Sequence, residues 1–411
     1  MTETAAIDLD DLLCEEAIDR PFQFYARLRE NDPVYWNPRW NGWVVTSARE
    51  VTRGYLKHNV LSSDRFAGPF GEELSSAQSD YPQLFTFLNN FFVWKDQPYH
   101  TRIRRLVNKA FTPRSVESLR PRIQELVAQL IEEMRGEPEV DFLSRFAYTL
   151  PVIVIAEFLG VPPERREELR VWSEDLGAVI FVRGDDADRM ANAERSMKAL
   201  VEMLRPVVAA RRTEPLDDMI SAMAQAVDDN GDRLTDEEII GNAVLMVFAG
   251  HETTMNLIAN GMVAFARFPD QWQRLREHPT LARTAADEVL RYDGPIRAMA
   301  RWATEPVELG GKEIKTGERV LLVHFAANHD PEMFTDPDRL DIGRSPNKHT
   351  MFGHGIHMCL GAPLARLEAE EAFRALSAAF PRYEIHETEL HYNRTVVSRS
   401  LERLHITFHE D

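Results

Sequence analysis

Cysteine is nearly absent: 411 residues hold only Cys14 and Cys359. Two thiols cannot build a disulfide framework, so the fold must rest on a buried core. A hydrophobic content of 44% is ample for one. Long apolar runs are missing as well. The most apolar stretch, "YTLPVIVIAEFLGV", is interrupted by Glu157 and falls short of the roughly 20 residues that span a bilayer, so no membrane span is expected. The acidic start "MTETAAIDLDDLLCEEAID" lacks the basic and apolar regions of a secretory signal, and a cytoplasmic location is expected. Positive charge is short too. A formal net charge of −18 removes the basic surface a general nucleic-acid binder needs, without excluding a local basic patch for an acidic protein partner. There is no fixed-period repeat, low-complexity tract or Pro/Gly-rich linker, and the strand–helix alternation of a doubly wound fold is absent. The expectation is one mainly α domain over residues 1–411 with small β-sheets, monomeric, its first ~15 residues flexible.

What is present is mostly helical period. Ser47 with Glu50 three residues on reads as a capping-box start for "REVTRGYLKH". Apolar residues at 116, 119, 123, 126, 127, 130, 131 and 134 predict one amphipathic helix, closed by Gly136. Thr235 and Glu238 open a longer helix that runs to Pro269, roughly 50 Å of rise, apolar nearly all round and therefore buried. Strands are predicted at "GWVVTS", at "RVLLVHFAA" and at "VEL" and "KEI" around a Gly310–Gly311 turn. The aromatic-rich region from Arg65 to Trp94 has poor periodicity and reads as a long irregular binding loop.

The stretch "FGHGIHMCLG" at residues 352–361 places Cys359 among three glycines and two histidines, just ahead of a helical run. A lone cysteine can be a small buried hydrophobe, a nucleophile with a base nearby, a zinc ligand or the axial thiolate of a haem. His354 and His357 lack zinc-ligand spacing. The glycines can turn backbone N–H groups toward the sulfur, and the N-terminus of the following helix lowers a thiol pKa. Those features suit a thiolate.

This loop resembles the haem-binding loop of the cytochrome P-450 family, F-x-x-G-x-[HR]-x-C-x-G, with Phe352, Gly355, His357, Cys359 and Gly361 at every fixed position. The resemblance extends over nearly the whole chain. It implies the P-450 fold, a haem b (iron protoporphyrin IX) ligated by Cys359, and Phe352, Gly353, Gly361 and Ala249 around the macrocycle. Glu288 and Arg291 match the family's E-x-x-R pair, and Arg339 matches the arginine that joins it. His100 and Arg104 in "HTRIRR", with Arg301 and His357, match its haem-propionate ligands. "AGHETT" matches its oxygen-activation segment. The match implies that Gly250 makes room where the helix opens for dioxygen, and that Thr253 and Glu252 handle the protons that O–O cleavage consumes. His251 has no matched role.

The implied reaction is monooxygenation: hydroxylation or epoxidation of a hydrophobic small molecule with O2 and two electrons. The electrons are expected from NAD(P)H through a ferredoxin and its reductase, docking on a basic cluster of Arg102, Arg105, Lys109 and Arg114. A peroxide-driven peroxygenase of the same family usually replaces the acid–threonine pair with Arg-Pro, whereas Glu252-Thr253 is kept here. A non-catalytic haem sensor is the alternative from another class, and would gain nothing from a proton relay. The substrate pocket implied by the family comprises Phe85, Phe87, Phe91, Phe92, Val247, Ile296, Arg297, Ala298, Met299, Val396 and Val397. An apolar cavity of this kind suits a terpenoid, steroid or fatty acid. Arg297 or Arg183 could anchor a carboxylate, although solvent exposure is the expectation for both.

Overall fold

The helix predicted after Thr235 runs from Asp236 to Arg267 in the computed structural model, which describes residues 8–161, 163–181, 188–386 and 390–409. Its start is a complete capping box. The Thr235 side chain accepts from the Glu238 N–H, and the Glu238 carboxylate accepts from the Thr235 N–H at 2.9 Å. Almost every residue along it is buried, as an all-round apolar sequence requires. It packs against Thr149–Leu159, Ala282–Asp293 and Ala362–Ala379, which makes it the axis of the main core.

A five-stranded sheet flanks this helical body. Its order is Val34–Asn37, Gly42–Val45, Arg319–Val323, Ala298–Ala303 and Leu61–Ser62, all antiparallel except the pairing of Gly42–Val45 with Arg319–Val323. The Val307–Leu309 and Lys312–Ile314 hairpin forms as expected, with Gly310 and Gly311 at φ 56° and 75° in its turn. A third small sheet joins Val140–Asp141, His405–His409 and Arg382–Ile385. None of the helices among the described residues is long and apolar enough to cross a membrane.

Four local expectations change. The helix predicted around residues 116–134 is two, Pro113–Glu117 and Arg120–Met134, with the break just ahead of Pro121; Pro121 then sits in the first turn, where its missing N–H costs nothing. The region Arg65–Trp94 is mostly helical, with Gly68–Asp80, Pro82–Leu88 and a 3-10 turn at Phe92–Trp94. The strand starting at Arg319 stops at Val323, and His324–Asn328 turns into a helix. The N-terminus is tied down from Asp8 onward: Asp8 and Asp11 pair with Arg39, Asp10 accepts from the Tyr35 hydroxyl, and Glu15–Asp19 is a helix capped by Cys14.

Candidate active site

Loop 352–361 enters with two left-handed glycines, Gly353 at φ 67° and Gly355 at φ 72°. Only glycine takes these angles without strain. Hydrogen bonds from Gly353 N–H to Thr350 O (2.7 Å) and from Cys359 N–H to Phe352 O (2.8 Å) fold the loop back on itself. Gly361 and Ala362 stand at the opening of the helix Ala362–Ala379, so their backbone N–H groups, free of partners within that helix, lie beside Cys359. The expectation that these donors leave a depressed thiol pKa is not met. Burial pushes the thiol up, and the Gly361 N–H, the Arg104 guanidinium and the Ala362 N–H recover only part of that. Gly361 has an ordinary φ of −77°, so it is not there for its backbone. A Cβ on it would meet no protein atom within 4 Å, which leaves clear space beside the sulfur.

Cys359 retains accessible surface even though burial dominates its titration, and Ala249 is exposed in the middle of an otherwise buried helix. Both therefore border open space rather than packed protein, which makes them walls of the candidate cleft. On the Ala249 side the long helix is unbroken α through residues 249–254, without the local opening implied by the resemblance. Thr253 Oγ1 donates to Ala249 O at 2.8 Å and Thr254 Oγ1 to Gly250 O at 3.0 Å. Gly250 faces another way: a Cβ there would meet Ile155 Cδ1 and Cγ1 at 3.0 Å, so it serves helix–helix approach. Glu252 is buried one residue before Thr253. His251, also buried, bonds Val247 O through Nδ1 at 2.8 Å and meets the Tyr148 ring edge-on.

The basic residues converge. His100 and His357 lie with ring centroids 4.0 Å apart. Both ring nitrogens of His100 and Nδ1 of His357 are buried with no hydrogen-bond partner. Burial, with Arg104, His58 and Arg301 near, pushes His100 down to about 4. Burial, then His100 and Arg301, pushes His357 down to about 2. Burial also lowers the Arg104 and Arg301 guanidiniums. Neither arginine has an ion pair among the described residues; Arg104 donates to Asn108 Oδ1 and Arg301 to Ala300 O. A dry cluster of bases with orphaned nitrogens calls for anions. A haem fits: its two carboxylates would meet these side chains, its iron would take the Cys359 sulfur and offset the charge that burial penalises, and Gly361 leaves room beside it.

Behind the loop, Glu288 and Arg291 form a fully buried bidentate pair at 2.8 and 2.9 Å. Arg291 further donates to the backbone oxygens of Asn328, Pro337 and Arg339. The guanidinium that joins the pair is not that of Arg339, whose side chain is 64% exposed and lies 3.8 Å from Asp270. It belongs to Arg344, with Nε 3.1 Å from both Glu288 oxygens. Arg339 contributes only its carbonyl. Arg344 carries no local sequence signature, lying 56 residues from Glu288 along the chain.

The pocket residues separate into groups. Ile296 bridges Ser398, and Arg297 N–H bonds Val397 O at 2.7 Å, so Ile296, Val396 and Val397 stand together, partly exposed. Val247, Phe85, Phe87 and Phe91 are buried in the main core, Phe85 against Phe66 and Phe91 against Trp94. Phe92 stands instead by the bases, 5.8 Å from the His100 ring with Arg104 over its face. Met299 cannot share a face with Ala298, because successive strand residues point to opposite sides. Ala298 joins the main core, whereas Met299 packs against the second core, on the other face, and pairs with Leu322. Arg297 is neither a surface charge nor a carboxylate anchor: it is 1% exposed and donates to Ala17 O and Thr395 O, tying the N-terminal helix to the C-terminal turn. Arg183 lies outside the described residues. The basic cluster is mostly neutralised. Arg102 pairs with Asp232 and Glu238, Arg105 with Asp228, and Lys109 with Asp229, while Arg114 is exposed without an ion pair among the described residues.

A family model described as cytochrome P450 matches residues 178–389. The chain is 38% identical to the biotin biosynthesis cytochrome P450 of Bacillus subtilis, over 96% of this chain and 97% of that protein. It is 35% identical to 6-deoxyerythronolide B hydroxylase of Saccharopolyspora erythraea, over 93% and 95% respectively. The crystal structure of P450BioI in complex with an acyl carrier protein ligated to hexadec-9Z-enoic acid superposes with a TM-score of 0.88 at 34% identity, covering 96% of this chain and 99% of that one.

Proposed function

Because the chain belongs to the cytochrome P450 family of haem monooxygenases, we propose that it hydroxylates or epoxidises a neutral hydrophobic small molecule, with O2 and two electrons delivered by a separate ferredoxin. The observation that carries the haem assignment is the grouping of His100 and His357, with orphaned ring nitrogens, and Arg104 and Arg301, without an ion pair among the described residues, near the Cys359 loop. The haem supplies oxygen activation when bound. The chain supplies the rest. Cys359 would ligate the haem iron through its sulfur, and the loop folded by the Gly353 and Cys359 N–H bonds would hold that sulfur in place. Thr253 and the buried Glu252 move protons to oxygen, which requires the Thr253 hydroxyl to turn from Ala249 O toward the cleft.

Arg297 informs the substrate class. Relatives include the P450BioI structure with a fatty-acyl carrier protein and 6-deoxyerythronolide B hydroxylase, so acid-derived and neutral substrates both occur among them. Here the arginine nearest Ile296 and Ala298 is spent on two backbone oxygens, and the grouped wall residues Ile296, Val396 and Val397 are apolar. Neutral compounds are therefore favoured. Titrating terpenoids, steroids, fatty acids and fatty-acid methyl esters, followed by the Soret shift, should show esters binding at least as tightly as acids. Acids binding tenfold more tightly than their esters would contradict the neutral assignment. Product formation with NADH, reductase and ferredoxin, but not with peroxide alone, separates the monooxygenase from a peroxygenase.

A further inference from the structure

Arg65 carries no role in the sequence pattern, yet its surroundings match those of the haem-carboxylate ligands. It follows the strand Leu61–Ser62, which pairs with Trp302 and Ala303 beside Arg301. Its Nη2 donates to Ala300 O at 3.0 Å, and Arg301 Nη1 donates to the same oxygen at 2.8 Å. Two donors on one acceptor hold these nitrogens within about 6 Å of each other. Arg65 lies over the Phe70 ring at 4.7 Å and Arg301 over the Tyr55 ring at 5.4 Å, so aromatic faces enclose both cations.

No carboxylate among the described residues pairs with them directly, and the Asp96 charge offsets only part of the burial that lowers the Arg301 guanidinium. The nearby acids are engaged elsewhere: Asp64 holds Lys95 at 3.3 Å and accepts from the Phe66 N–H, and Asp96 accepts from Ser62 Oγ and the Ser63 N–H. Burial, then the Arg301 charge, pushes the Arg65 guanidinium down to about 9. Two like charges held adjacent, Arg301 buried and Arg65 half-buried, favour an anion between them.

We propose that Arg65 is a further haem-carboxylate ligand, sharing one propionate with Arg301. This rests on the haem assignment above. Each guanidinium keeps free N–H groups beyond the one spent on Ala300 O, and a carboxylate has two oxygens to receive them. The alternative on the same geometry is purely structural: Arg65 merely caps Ala300 O and packs on Phe70.

The two are separated by haem and haem dimethyl ester, which differ only at the carboxylates. Full-length wild type, Arg65→Gln and Arg65→Lys are loaded with each, and loss to excess apomyoglobin is timed. Arg65→Gln should lose natural haem about tenfold faster, with Arg65→Lys in between, as expected when one charge-assisted hydrogen bond goes. With the dimethyl ester all three should agree within about twofold. Equal loss of natural haem from wild type and Arg65→Gln overturns the proposal, as does acceleration of the same size with both haems. If Arg65→Gln fails to fold, the wild-type-to-Lys ratio on the two haems decides by the same criterion. Failure of wild type to bind haem at all would instead overturn the haem assignment, and the proposal with it.

Discussion

Arg344 and Arg339 make opposite predictions. Arg344 Nε lies 3.1 Å from both Glu288 oxygens, with its side chain 12% exposed, whereas Arg339 is a surface residue 3.8 Å from Asp270. Removing the Arg344 side chain leaves the fully buried Glu288 with Arg291, the Asp341 N–H and the Asn347 amide as donors, but costs two charge-assisted hydrogen bonds. Breaking a buried charge network of this kind costs about 3 kcal/mol. Arg339→Ala removes one exposed, long ion pair and should cost less than ~0.5 kcal/mol, since its carbonyl bond to Arg291 survives. Glu288→Gln should exceed both, because Arg291 and Arg344 then lose their shared counter-charge in a dry site. Denaturant unfolding followed together by far-UV circular dichroism and Soret absorbance gives the midpoints. If Arg339→Ala destabilises as much as Arg344→Ala, the assignment of the third member is wrong.

Three further outcomes follow from the geometry. Thr253→Ala should uncouple turnover, so that NADH is consumed and peroxide released while product falls by 10²–10⁴-fold if the hydroxyl is the proton donor; unchanged coupling would show that Thr253 only bonds Ala249 O. His324, held between the Tyr55 hydroxyl and Thr350, is pushed down to about 3 by burial and then by the Arg301 charge. A free histidine titrates near 6.5, so between about 6.5 and 3 the unfolded chain binds the extra proton and stability falls as pH drops; His324→Gln should flatten that part of a melting-temperature profile, and an unaltered slope would refute it. Arg114→Glu should slow ferredoxin reduction most strongly at low salt, whereas Arg105→Gln, already paired with Asp228, should leave the rate nearly unchanged; stopped-flow rates showing the reverse order would move the docking site.

Legibility followed distance along the chain. The Cys359 loop could be read because its glycines, cysteine and following helix lie within about ten residues, where backbone geometry is local. The Glu288–Arg291 pair is an i, i+3 neighbour on one helix. Arg344 was out of reach because only the path of residues 329–344 brings it back to Glu288. Arg297 was misjudged for a similar reason: its acceptors, Ala17 O and Thr395 O, are 280 residues before it and 98 after, and backbone oxygens leave no sequence signature. Met299 is different. The two-residue period of a strand forbids it from sharing a wall with Ala298, and that period is legible in the sequence. In the region from Arg65 to Trp94 the helices Gly68–Asp80 and Pro82–Leu88 are short and meet at Tyr81, which breaks any single hydrophobic period. The basic cluster on Tyr99–Ala110 is visible, but the acids of residues 228–238 that neutralise it are 120 or more residues away.

The most direct test is the carbon monoxide spectrum of the reduced protein, wild type beside Cys359→Ala. A haem held by the Cys359 thiolate gives a band near ~450 nm in wild type, absent in the variant. A band at the same wavelength in both proteins would contradict Cys359 ligation, and with it the assignment of this cleft as the catalytic centre.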